Sequence, residues 1–123
     1  MKEVYKLSKS PKSDKKFRIV TPSGRSIDFG AKGYSDFTLH KNPQRMRLYV
    51  QRHGGRIPNN VLKESNNSTI IKRMLHVKSS TKENWSQSGL DTAGFWSRWL
   101  LWSFPDLLSA KQYISKTFNI HIL

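Results

Sequence analysis

There is no cysteine among the 123 residues, which rules out a disulfide framework and thiolate chemistry and suits a reducing compartment. Acid is scarce too: 8 Asp and Glu stand against 22 Lys and Arg, for a formal charge of +14. The carboxylates are scattered, whereas a metal-dependent nuclease needs them clustered; Asp28 and Asp36, flanking a short glycine loop, come nearest to a pair. The histidines, His40, His53, His76 and His121, lie too far apart to put two ligands on one element, so no metal site is expected. The His53-Gly-Gly-Arg56 stretch resembles an esterase oxyanion loop, but no Gly-x-Ser-x-Gly elbow accompanies it. No apolar run approaches the roughly 18 residues of a membrane span, and the N-terminal lysines are not followed by an apolar signal core. The expectation is a soluble, unexported, non-enzymatic protein with no cofactor.

What the chain has in abundance is aromatic and basic residues. Residues 92–102, TAGFWSRWLLW, place Phe95, Trp96, Trp99, Leu100, Leu101 and Trp102 within eleven positions. At helical spacing Phe95, Trp99 and Trp102 share a face that Trp96 and Leu100 widen, which predicts a helix wrapped by other elements on most sides. Thr92 is placed to cap it and Phe104-Pro105 to stop it. Burial of one such aromatic side chain contributes up to about 3 kcal/mol, so this segment is read as the core. For 123 residues a single domain is expected.

Residues 1–16 carry Lys2, Lys6, Lys9, Lys12, Lys15 and Lys16 with Val4, Tyr5 and Leu7 to bury, and are read as a flexible basic arm that orders against an anionic surface or serves as a solvated tail. Residues 17–123 are then the compact domain. Residues 17–20 and 25–29 are β-prone and joined by Thr21-Pro-Ser-Gly24, which predicts a hairpin with Phe17, Ile19, Ile27 and Phe29 on one face. Gly30-Ala-Lys-Gly33 follows, either a turn or a loop whose N–H groups and Lys32 face an anion. After a short connector, Asn42 as cap, Pro43 at the first helical position and Gly54-Gly55 at the end mark a helix with Met46, Tyr49 and Val50 buried. Lys41, Arg45, Arg47, Arg52 and Arg56 crowd that stretch with no acid among them.

Residues 57–83, rich in Asn and Ser, read as an insertion holding a small helix with Ile70, Ile71, Met74 and Leu75 on one side. Trp85 is expected to anchor the loop that follows, or to stack on a base. A last helix is predicted with Leu107, Ala110, Ile114 and Phe118 facing inward, ending near Asn119, and residues 120–123 alternate as an edge strand does. The fold class expected is α+β: a small antiparallel hairpin sheet packed on the Trp-rich helix and two to three further helices.

Three blocks, TPSGRSIDFGAKGYSDF at 21–37, HKNPQRMR with RHGG within 40–55, and NWS with TAGFWSRWLLW within 84–102, resemble a family of small basic proteins of unassigned function encoded by large double-stranded DNA viruses of eukaryotes. The resemblance covers roughly residues 16–118; residues 57–83 are longer than the connection expected there. It implies a viral setting, in the virion and, during assembly, in the host cytoplasm or nucleus, and carries no catalytic residues over. Joined to the charge, it yields the expectation of a structural protein that binds packaged DNA or another polyanion without sequence specificity, through Lys32, Lys41, Arg45, Arg47, Arg52, Arg56 and the arm residues Lys12, Lys15 and Lys16. The competing expectation is a minor capsid or cement protein whose arm and charges meet acidic capsid proteins.

Overall fold

The computed structural model describes residues 2–123. Three strands come first, β1 (Glu3–Lys9), β2 (Lys15–Val20) and β3 (Ser26–Ala31), followed by helices α1 (Phe37–His40), α2 (Pro43–Arg52), α3 (Asn59–Leu62) and α4 (Asn67–Met74). The Trp-rich segment is a short α5 (Ala93–Trp96) running directly into a wider π-helical turn, Ser97–Leu101, and then come α6 (Leu107–Phe118) and β4 (Ile120–Ile122). The result is an α+β fold with one four-stranded mixed sheet, ordered β3-β2-β1-β4. Among the described residues no helix is long and apolar enough to cross a membrane.

The hairpin forms as its sequence predicts. Phe17 pairs with Phe29 and Ile19 with Ile27, so one face is apolar, while Arg18 opposite Asp28 occupies the other. The arm does not survive as a flexible segment: residues 3–9 are an inner strand, antiparallel to β2 on one side and parallel to β4 on the other. Tertiary pairing supplies what the local sequence lacks. Both edges of β1 find backbone partners, Leu123 closes the end through Leu7 and Tyr5, and the buried Tyr5 ring lies 5.8 Å from Trp96. The expected C-terminal edge strand is present, but its partner is β1 rather than the hairpin.

Against the sheet lies the Trp-rich segment, in which Phe95, Trp96, Trp99, Leu100 and Leu101 are all buried. Thr92 caps it by accepting from the Phe95 N–H, and each of three buried indoles finds an acceptor: Trp96 on the Leu90 carbonyl, Trp99 on the Trp85 carbonyl and Trp85 on Glu83. Gly30, at φ +79°, passes so close that a Cβ there would sit 2.9 Å from the Leu101 side chain, so the glycine loop begins where sheet and core helix meet. In the midst of the aromatic core is one cation. Arg98 is fully buried, its guanidinium 4.4 Å from the Trp99 ring centroid, and it donates to the carbonyls of Trp102, Met74 and Val77. Burial pushes its pKa down to about 10.

Within residues 57–83, Val61, Ile70, Met74 and Val77 are buried. α6 buries Ala110, Ile114 and Phe118 and ends on Asn119 in a left-handed cap.

Candidate nucleic-acid interface

α2 is set by its ends. Asn42 accepts from the N–H groups of Gln44 and Arg45, Pro43 occupies the first turn, and Met46 and Val50 anchor the inner face. That anchoring turns Arg45, Tyr49, Arg52 and His53, spaced at i, i+4, i+7 and i+8, toward a groove whose other lining comes from Tyr34, Ser35 and Trp102. The groove continues past Lys15, Lys16, Gly30, Glu83, Gly94 and Ser97.

Along its floor the rings form a ladder. Trp102 and Tyr49 stack with centroids 4.2 Å apart and planes 2° from parallel, and His53 stacks on Tyr49 at 4.0 Å. Burial raises the Tyr49 phenol above its ordinary value, with the nearby Glu83 adding to the effect, so it stays neutral. Glu83 lies 3.4 Å from His53 Nδ1, accepts the Trp85 indole N–H at 2.9 Å and packs on Gly94, where a Cβ would come within 2.9 Å of its carboxyl carbon.

The residues expected to meet a polyanion divide into two groups. Arg45, Arg52 and Arg56 project from α2 and its C-terminal flank, exposed and without a carboxylate within 4.0 Å among the described residues, and Lys32 is equally free in its loop. Lys41 is exposed as well, its Nζ donating to the Pro105 carbonyl at 2.7 Å. Arg47 is a correction: half-buried, it donates to the carbonyls of Val61 and Glu64, both at 2.8 Å, and so holds the insertion rather than a phosphate. Lys16 is another, held 2.6 Å from Asp36 with 15% of its side chain exposed. Lys12 lies 3.6 Å from Asp28 with 60% exposed, and Lys15 is half-buried at the start of β2, so neither belongs to a free arm. The glycine loop departs from an open anion nest, because the Lys32 N–H already donates to the Asp14 carbonyl and the Tyr34 N–H to that of Ala31.

The two candidate acids have local partners. Asp28 accepts from Arg18 and Ser10, which hold its carboxyl well below the ordinary value, and Asp36 caps α1 while pairing with Lys16. Trp85, the loop indole left open for base stacking, is buried at 1% exposure and cannot meet a base. Among the described residues the exposed aromatic is Tyr34, 74% accessible at the end of the glycine loop, in what the sequence alone presents as a connector. Its signal was position: a tyrosine directly after Gly33 has no neighbouring apolar residue to share a face with.

A family model described as a family of unknown function (DUF5754) matches residues 5–53, from the buried tyrosine of β1 to the histidine that ends the ring ladder. No curated protein and no solved structure matches the chain.

Proposed function

We propose that this protein is a non-enzymatic nucleic-acid-binding protein that neutralises phosphates with the exposed cations of α2 and its flanks and reads no sequence. The observation that carries this reading is the lack of internal compensation. Of 22 Lys and Arg side chains, four (Lys12, Lys16, Arg18 and Arg25) lie within 4.0 Å of a carboxylate among the described residues, and none of the four is on α2. A field of this kind, unscreened by the protein's own acids, favours a polyanionic partner. On the resemblance to proteins of large DNA viruses, the partner in its natural setting is packaged DNA in the virion. A minor capsid role is the weaker alternative, because the segment that would thread between coat subunits is an inner strand of the sheet.

Titration of a labelled duplex at two salt concentrations tests the reading. With Lys32, Arg45, Arg52 and Arg56 each displacing a counterion, a fourfold rise in salt lowers affinity about 150-fold, and alanine at Arg45, Arg52 and Arg56 together flattens that slope to about a quarter. No binding at low salt, or an unchanged slope in the triple variant, overturns the proposal.

A further inference from the structure

The groove beside α2 has features that phosphate neutralisation does not use. Tyr49 has both ring faces covered, one by Trp102 and the other by His53. His53 therefore ends the ladder, with one face on Tyr49, its Nδ1 beside Glu83 and 41% of its side chain exposed to the groove. Tyr34, far more open, lines the same space and stacks on no other ring among the described residues. Arg45 and Arg52 stand at the rim. The groove they line has a volume of about 250 Å³, of the order of one planar heteroaromatic ring with its sugar.

We infer that this groove receives a single unstacked nucleobase, which continues the ladder on the open face of His53 with Tyr34 alongside, while the flanking phosphates meet Arg45 and Arg52. The inference rests on the nucleic-acid reading above and adds to the sequence-blind phosphate contacts a site for single strands and unpaired ends. Stacking of a base on an aromatic face is tolerant of sequence because every base has such a face, which agrees with a site that offers rings and cations but few fixed hydrogen-bonding groups. The stacked rings and the two guanidinium groups on one groove match the two faces of a nucleotide, an aromatic base and an anionic phosphate. An acidic protein surface offers the charge without the rings.

The test compares a labelled oligothymidylate of about ten nucleotides with an abasic oligonucleotide of equal length and charge, by anisotropy at low salt. The oligothymidylate is expected to bind about tenfold more tightly. In Tyr34→Ala, a change at an open position that leaves the thermal melt unaltered, the gap closes to about twofold or less; His53→Ala is the second variant. Equal binding of the two oligonucleotides overturns the base site and leaves the phosphate reading intact. A tenfold gap that persists in both variants also overturns it. Failure to bind either oligonucleotide removes both proposals together.

Discussion

Replacing Arg98 with methionine keeps the length of the stem but removes the guanidinium from the centre of the aromatic core. Three carbonyls then lose a charged donor: Trp102 at 2.6 Å, Met74 at 2.7 Å, which keeps the Val77 N–H, and Val77 at 3.3 Å. Hydrogen bonds to a charged group contribute about 1.5–3 kcal/mol each, or about 5–9 kcal/mol together. Against this stands the cost of keeping a cation out of water. Burial takes the Arg98 pKa from 12.5 to about 10, which corresponds to a cost of about 3 kcal/mol that the methionine variant no longer bears. The difference predicts a net loss of about 4 kcal/mol, read as a lower urea midpoint at constant slope and a fall in Tm of about 15 °C. Hydrogen exchange should locate the loss, since one of the three carbonyls ends α4 and a second lies just beyond it, so that α4 should open before the sheet does. A variant as stable as the parent would refute the reasoning, because the guanidinium would then be a burden that the carbonyls merely offset.

Arg47→Ala, which frees the carbonyls of Val61 and Glu64, should destabilise by about 2 kcal/mol, while Arg45→Ala on the exposed face stays within about 0.5 kcal/mol; paired urea titrations separate them, and equal losses would contradict the assignment. Asp28 contributes a pH dependence of definite sign. Arg18 and Ser10 hold its folded carboxyl below the 3.8 of the unfolded chain, so its stabilisation is complete above that value and declines as pH falls through the folded pKa. The stability gap between the parent and Asp28→Asn should therefore narrow between about pH 5 and about pH 2; a constant gap would show that the carboxylate is not what the ion pair stabilises.

The elements legible from sequence were those with local causes. Asn42-Pro43 and Gly54-Gly55 define α2 through caps and turns, and the apolar alternation around Thr21-Pro-Ser-Gly24 defines the β2–β3 hairpin. The inner position of β1 was not legible, because Tyr5 and Leu7 bury too little by themselves and acquire order from partners more than a hundred residues away in β4. Arg98 was hidden for a similar reason. Within TAGFWSRWLLW it sits where a helix would send a charge to solvent, and its acceptors lie in a segment whose docking no local pattern specifies. For the candidate site, the basic character of α2 was visible as composition. The sorting of Arg47 from Arg45 and Arg52 was not, since one helix turn decides which arginine meets the insertion and which meets the groove.

The shortage of carboxylates shapes even the cations that hold the fold. Four helical C-termini are met by basic side chains: three from elsewhere in the chain, Arg47 on α3, Arg98 on α4 and Lys82 on the Arg52 carbonyl at the end of α2, and one local, Arg98 on the Trp102 carbonyl that closes its own segment. Each bond adds a donor to a carbonyl at a helix end, and those of Val61 and Met74 accept backbone N–H groups as well. A carbonyl, unlike a carboxylate, carries no net charge, so these cations organise the structure without being neutralised. Structural use and external field are therefore not in competition on this molecule: Arg47 can be withdrawn from the list of phosphate contacts and still add to the potential that draws a phosphate chain toward Arg45 and Arg52. Arg47→Gln, whose amide is two bonds too short to reach the Val61 and Glu64 carbonyls, should share the stability loss of Arg47→Ala and also slow association at low salt, and an unaltered association rate would confine the field to the exposed residues alone.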